Sequence, residues 1–429
     1  MKDTIRFAIA GLCLGAGLAH AQLTALAEQV VAARDAVTGI VAADVDQDGD
    51  IDLVVTNRDT GDITFLTNNG LGVFTSGVIA ALPGDSITVG TRPFFVAAGN
   101  LNGDNLVDLA VALEGADQVA VLLGAGSGNF GAVTPFAAGD SPRCVAIGDF
   151  DGDGSNDLAV SNENDDNVTV LFNNKTGSFN VATDVTVDPG VGNRPQPKAV
   201  AAGDFNKDGV ADLAVANFAR NAVAIRLSGG NQSFGDISEV AVGRDPWALA
   251  VGKLDADNNL DIVVANSLDD SVTILLGDGT GAFFNAGTIP VGNRPEGVAL
   301  ADFNGDKVLD IATANREGDN ITVLLGAGDG TFTAGLTTSA GSGPSGIAAA
   351  DFNGDGIPDV AVTNQEADTV SVRAISTTDT TIQNPAQALT DCGAGCGPLG
   401  LAPLAFTLLG IVGMKRGLNQ IATDKTRAA

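Results

Sequence analysis

The chain has 429 residues, 45% of them apolar, with 56 glycines and no tyrosine. That length allows one large domain or two to three ordinary ones, and the abundance of Gly, Val, Ala and Asn points to short strands and tight turns rather than long helices. With 52 acidic against 22 basic residues the formal charge is −30, which argues against nucleic acid and anionic membrane surfaces as partners and favours cations.

In chain order, residues 1–21 read as a secretory signal peptide. Lys2 and Arg6 form its charged region, Phe7 to Leu18 its apolar core, and Ala19-His20-Ala21 the cleavage site before Gln22. Export is therefore expected. His20 is the only histidine and leaves with the peptide. The mature chain then has no His base, no His metal ligand and no Tyr acid. Ser-His-Asp and Cys-His catalysis are excluded, as are His-containing zinc sites, and the protein is read as not an enzyme. Cys144 lies in the apolar run "CVAIGDF" and is expected to be a buried free thiol, so the chain is not a disulfide scaffold.

From residue 22 to 376 one unit recurs. Its acidic string starts at Asp44, Asn100, Asp149, Asp204, Lys253, Asp302 and Asp351, at spacings of 56, 49, 55, 49, 49 and 49 residues. Small insertions near Leu82–Thr88 and Asp184–Asn193 account for the two long intervals. A proline stands seven residues before the start in six units: Pro93, Pro142, Pro197, Pro246, Pro295 and Pro344. Each unit then reads as an apolar run, the acidic loop, a run like "DLAVAN", a polar turn, a run like "VTVLLG", a Gly-rich turn and a weaker polar strand. Four short strands in a period near 49 residues predict a propeller blade. The fold class expected is an all-β, seven-bladed β-propeller of four-stranded blades. The seventh unit stops after its third strand, "TVSVRAI", and Glu28–Ala33 is expected to supply the missing outer strand and close the ring.

The acidic loops carry the chemistry. Numbered from their starts, positions 1, 3, 5 and 9 hold Asp44, Asp46, Asp48 and Asp52 in the first loop. The third has Asp149, Asp151, Asp153 and Asp157, and the fourth Asp204, Asn206, Asp208 and Asp212. The sixth has Asp302, Asn304, Asp306 and Asp310, and the seventh Asp351, Asn353, Asp355 and Asp359. Position 6 is Gly49, Gly154, Gly209 or Gly356 in four of these five, which permits a left-handed turn around a central point. One such loop could be an Asp/Asn-rich turn. Three or four carboxylates within nine residues, repeated at fixed spacing, call for a hard cation, and the oxygen donors suit Ca²⁺. An EF-hand is ruled out because position 12 is apolar or Thr (Val55, Val160, Val215, Thr313, Val362) and a strand follows. The second loop, with Asn100, Asn102, Asp104 and Asp108, carries less charge and reads as a weaker site. The fifth has Lys253 at position 1, whose ammonium is expected to replace the ion by pairing with Asp255, Asp257 and Asp261. Five Ca²⁺ sites and a sixth, weaker one are expected.

The pattern D-x-[DN]-x-D-G-x-x-D-[LIV], with the downstream "VLLGxGxGxF", resembles the FG-GAP/VCBS repeats of integrin α-subunit propellers and many secreted bacterial proteins. The resemblance covers Leu26 to Ser376. It implies Ca²⁺ in the loops joining first and second strands, on the bottom face, and partners on the top face. Adhesion receptors and lectins belong to the family, so a carbohydrate or protein ligand is implied without being chosen. The top face is expected to be built from the inter-blade turns with Arg92, Arg194, Arg244 and Arg294, and from the turns begun by Asn57, Asn162, Asn217, Asn266, Asn315 and Asn364. There the asparagines either cap their own turns, with the arginines paired to acids or packed on neighbouring blades, or the two sets form a polar ring for sugars or a protein. Trp247 and Phe218, the nearest aromatics, read as core.

Residues 377–391 read as a polar linker and 392–429 as a sorting or membrane-anchor segment. Gly397 to Met414 is an apolar stretch of 18 residues followed by Lys415 and Arg416, marginal as a span. With the Cys-Gly motif before it, the segment resembles bacterial C-terminal sorting signals of the PEP-CTERM and myxobacterial type. That implies cleavage near Cys392–Cys396 and attachment at the cell surface; a retained tail anchor or a Cys392–Cys396 disulfide are the alternatives. The whole reads as an exported, Ca²⁺-binding, cell-surface recognition propeller, with an architectural envelope protein or a carbohydrate-active lyase as the other readings.

Overall fold

A computed structural model describes residues 22–76, 86–190 and 194–378. The expected signal peptide, nearly all of the expected linker and the expected C-terminal sorting or anchor segment lie outside the described residues. Those described belong to one compact unit, Met1–Thr380, and contain no α-helix, only a single 3₁₀ turn at Phe218–Arg220.

Seven antiparallel sheets follow the seven repeats. The sixth is typical: an inner strand Pro295–Ala301, a second strand Asp310–Asn315, a third strand Asn320–Gly326 and an outer strand Phe332–Ser339. The second strands, such as Asp310–Asn315, are buried along their whole length, because each lies between the sheets of two neighbouring blades. That is why they read as continuous runs of Val, Ala, Ile and Leu rather than as alternating patterns. The seven inner strands contact one another in sequence, and the last, Pro344–Ala350, contacts the first, Val37–Ala43. The ring is therefore closed around a central channel.

Closure occurs as expected, with a longer strand. Gln22–Ala32 pairs antiparallel with Thr369–Thr378, from Ala32 opposite Thr369 to Gln22 opposite Thr378. A bulge between Ala25 and Glu28 lets the strand start six residues before the expected Glu28. Arg373 pins it by an ion pair to Glu28 at 2.9 Å.

Neighbouring blades are latched by aromatic pairs. The residue after each loop start points inward, and Phe150, Phe303 and Phe352 there are fully buried. Phe352 of the seventh blade meets Phe74 of the first edge-on at 5.2 Å, and Phe205 of the fourth meets Phe283 of the fifth at 5.1 Å. Such pairs contribute roughly 0.5–1.5 kcal/mol each beyond their buried area.

Candidate functional site

The acidic loops sit where the inner strands end. Their backbone is nearly the same in every blade. Position 6 is left-handed in all seven, whether it is glycine (Gly49, Gly154, Gly209, Gly356) or not (Asn105, Asn258, Lys307). Position 4 is left-handed in six: Gln47, Gly103, Gly152, Lys207, Gly305 and Gly354. These turns aim backbone N–H groups at the carboxylate at position 1. In the seventh loop Gly354 N donates to Asp351 Oδ1 and Gly356 N to Asp351 Oδ2, both at 2.8 Å. The side chains at positions 3 and 5 accept from N–H groups two residues on, as Asp48 N to Asp46 Oδ1 at 3.2 Å and Asp50 N to Asp48 Oδ1 at 2.9 Å.

The result is a cluster of convergent oxygens. Asp44, Asp46 and Asp48 place carboxylate oxygens within 4.8 Å of one another, and so do Asp149, Asp151 and Asp153. Burial, with the charges of Asp48 and Asp44, lifts the Asp46 carboxyl above its ordinary value. The donor set is hard oxygen on a turn that already fixes its geometry, which fits a divalent cation. In the third loop Lys175 Nζ stands 3.4 Å from Asp153 Oδ2, so an internal cation competes there.

Position 9 behaves differently from the other three. In all seven blades its Asp is buried and staples two strands. Asp310 Oδ2 accepts from Phe303 N at 2.9 Å and Oδ1 from Gly326 N at 2.8 Å. The same two bonds recur at Asp52, Asp108, Asp157, Asp212, Asp261 and Asp359. Burial pushes the carboxyls of Asp52, Asp157, Asp310 and Asp359 up to about 7 and that of Asp212 to about 6, against the lowering pull of the backbone bonds.

The fifth loop departs from the expectation. Lys253 forms no ion pair among the described residues; the basic group whose field reaches Asp257 is Lys207 of the neighbouring blade. Lys253 cannot accept the N–H bonds that organise the other loops, and Ala256 at position 4 is not left-handed. Lys253 is exposed.

At the opposite end, where the inner strands begin, lies a cavity of about 510 Å³. The second residue of each inner strand forms its rim, one per blade: Thr38, Phe94, Arg143, Lys198, Trp247, Glu296 and Ser345. Arg143 Nε pairs with Glu163, Arg143 Nη2 lies 3.5 Å from Glu114, and Lys198 Nζ donates to Glu163 at 2.5 Å. Arg143 sits 4.5 Å above the Phe94 ring, and Lys198 Nζ lies 5.0 Å from Phe218 and 4.9 Å from Trp247. Trp247 and Phe218 meet edge-on at 5.8 Å and are half-buried. Trp247 is a rim residue, not core: the inner strand opens onto the channel, so a large ring there faces space, and Phe218, in the 3₁₀ turn outside the cavity lining, packs against it. Desolvation lowers the Lys198 ammonium below its ordinary range, partly offset by Glu163.

The six asparagines expected on this face are all buried. Five bond within their own hairpins, as Asn57 Nδ2 to Asp62 Oδ1 at 2.7 Å and to Thr64 Oγ1 at 2.8 Å; Asn217 Nδ2 reaches Val187 O at 2.9 Å instead. Each arginine of the inter-blade turns pairs with acids: Arg92 with Glu114, Arg194 with Asp166, Arg244 with Asp269, and Arg294 with Glu296 and Glu317. The asparagines are structural and contribute nothing to an exposed polar ring, whereas the arginines, though paired, keep their side chains exposed. Cys144 is a buried free thiol, as expected, its pKa pushed up to about 11 by burial.

A ring of seven four-stranded blades, each entered through an acidic first loop, defines a repeat propeller. The chain belongs to the FG-GAP-like repeat family, which matches it over residues 44–111, 100–160, 149–215, 204–264, 253–313 and 302–362. Among curated proteins no relative is found. Solved structures similar in fold include BBS1N in complex with ARL6DN (TM-score 0.56, 11% identity, 82% of this chain and 97% of that one). Another is virginiamycin B lyase from Staphylococcus aureus (TM-score 0.54, 12% identity, 82% and 99%). A third is an Agrocybe aegerita lectin that recognises non-reducing terminal N-acetylglucosamine (TM-score 0.50, 19% identity, 74% and 80%).

Proposed function

We propose that this protein is an exported recognition propeller, held at the bacterial cell surface, that binds Ca²⁺ in its acidic loops and a carbohydrate or protein ligand on the opposite face. The observation that carries the reading is the division between the two ends of the channel. One end is built from acidic loops of repeated, near-identical backbone, two of which bring three carboxylates within 4.8 Å of one another. The other opens as a cavity rimmed by seven non-repeating residues. Repetition suits a structural ion, and variation suits a specific ligand. In the loops Asp44, Asp46 and Asp48 and their counterparts would hold the ion, which neutralises the mutual repulsion of the carboxylates.

A lyase reading is disfavoured. The catalytically inactive form of the virginiamycin B lyase is a histidine-to-alanine variant, and the one histidine of this chain, His20, lies outside the described residues.

The test is a glycan and protein array probed in millimolar Ca²⁺ and again in chelator. Ca²⁺-dependent capture of a defined ligand is expected. Silence in both buffers, with the protein shown to be folded, would transfer the reading to an architectural role.

A further inference from the structure

The cavity at the start of the inner strands has a chemistry of its own, which deepens the recognition reading and rests on it. On a chain of formal charge −30, its ionisable lining is four cations, Arg58, Arg143, Lys198 and Arg316, against one carboxylate, Glu296. Positive sign is thus concentrated where the rest of the protein would repel an anion.

The cations are fixed from behind. Glu114 takes Arg58, Arg92 and Arg143, and Glu163 takes Arg143 and Lys198. The three of these cations that line the cavity, Arg58, Arg143 and Lys198, share two glutamates, one of which also serves Arg92 outside it, so this arc keeps a net positive charge. The side chains of Arg143 and Lys198 are only 15% and 8% exposed, and Nη1 of Arg143 has no protein partner among the described residues. A desolvated, pre-oriented guanidinium with a spare N–H edge is the usual element of carboxylate recognition. Beside it stand the ring of Trp247 and, further along the inner strands, the aliphatic side chains of Leu249, Val298 and Ile347. A volume of about 510 Å³ accommodates a small molecule or the end of a larger one.

We propose that this cavity binds a small organic carboxylate with an apolar body, the carboxylate between Arg143 and Lys198 and the body against Trp247 and the aliphatic channel wall.

Trp247 is the only tryptophan and there is no tyrosine, so its fluorescence reports on this cavity alone. The whole protein is titrated with cyclohexylacetate, its neutral amide and cyclohexyl phosphate, following Trp247 emission and, in parallel, heat. A saturable response to the acid is expected, with the amide at least tenfold weaker. Arg143→Gln and Lys198→Met should each weaken the acid by about tenfold or more, the loss of one charge-assisted bond. If either variant fails to fold, the acid-to-amide ratio in the unaltered protein still decides. Equal binding of acid and amide, a tighter phosphate, or no signal and no heat would overturn the proposal. The same array used for recognition, repeated with the acid present, separates the two failures. Array ligands captured by a protein that ignores the acid would sink the carboxylate site and leave recognition standing, whereas silence in both would remove both.

Discussion

Gln29 clasps the backbone of Phe74 from both sides: its Nε2 donates to the Phe74 carbonyl at 2.7 Å and its Oε1 accepts the Phe74 amide at 3.0 Å. Gln29 belongs to the strand that completes the seventh blade, and Phe74 opens the outer strand of the first. The clasp therefore joins the two ends of the ring at a place where no strand pairing does. Gln29→Ala removes both bonds and should cost about 1–3 kcal/mol, read as a lower urea midpoint with an unchanged slope. An unaltered midpoint would show that the closing strand holds through its ladder with Thr369–Thr378 alone.

The period of the repeat made the blade count and the closure legible, because each blade repeats the same burial problem and so the same residue types. The staple role of position 9 was not legible. An Asp in an acidic loop reads as a ligand, and only the fold reveals that both its oxygens face backbone amides. The rim was missed for the opposite reason. Its residues are the ones that do not recur: Phe94, Arg143, Lys198, Trp247, Glu296 and Ser345 directly follow the six recurring prolines. A free position beside a fixed one was the available signal. Trp247 reads as core because large aromatics usually are, but a channel interrupts the core at its strand; Phe218, half-buried in a 3₁₀ turn, packs on its ring.

The staple can be separated from ion binding in the fifth blade, where no Ca²⁺ is expected. Asp261 accepts Leu254 N at 2.7 Å and Gly277 N at 2.9 Å. Asp261→Asn turns an amide N–H₂ against one of these donors and leaves it unsatisfied, at about 1–3 kcal/mol. The loss should be equal in Ca²⁺ and in chelator. Asp302→Asn, at a loop start, loses one backbone acceptor as well, but it should destabilise more in Ca²⁺ than in chelator. Thermal melts of both variants in both buffers decide; a Ca²⁺-dependent loss in Asp261→Asn would mean that the fifth loop binds the ion.

The raised staple carboxyls predict an unusual pH profile without Ca²⁺. Their folded values, about 7 for Asp52, Asp157, Asp310 and Asp359, exceed the ordinary carboxylate value near 4. Between those limits the folded state holds more protons than the unfolded state, so stability falls as pH rises. In chelator the melting temperature should decline from pH 5 to pH 7.5. With Ca²⁺ the nearby charge favours ionised carboxylates, and the decline should vanish or reverse. Matching profiles in the two buffers would refute a cation beside these groups.

Lys307 holds the left-handed position 6 of the sixth loop at φ 69°, where four other blades use glycine. A side chain there costs roughly 1–2 kcal/mol, part of which glycine returns through its greater freedom in the unfolded chain. Lys307→Gly keeps the bond from its own N–H to Asp302 Oδ2, 2.7 Å long. It also removes an ammonium from the loop proposed to hold a cation. A stability gain of about 0.5–1 kcal/mol in chelator is expected, with a larger gain in Ca²⁺. A destabilised variant would show that the lysine side chain makes up for its strained backbone.

The fifth loop lacks two features that the other six share, an acceptor at position 1 and a left-handed residue at position 4. Both can be restored. Lys253→Asp supplies the carboxylate, and Ala256→Gly permits the turn that directs N–H groups onto it. Neither change alone should suffice: the acceptor without the turn meets misdirected donors, and the turn without the acceptor has nothing to surround. Calorimetric titration of the double variant should show one Ca²⁺ more per chain than the unaltered protein, with each single variant unchanged. At a dissociation constant one-hundredth of the free Ca²⁺ the added site would contribute about 2.7 kcal/mol of stability, visible as a raised melting temperature that chelator abolishes. If the double variant takes up no additional ion, convergent oxygens on this turn are not what binds Ca²⁺, and the reading of the other loops falls with it.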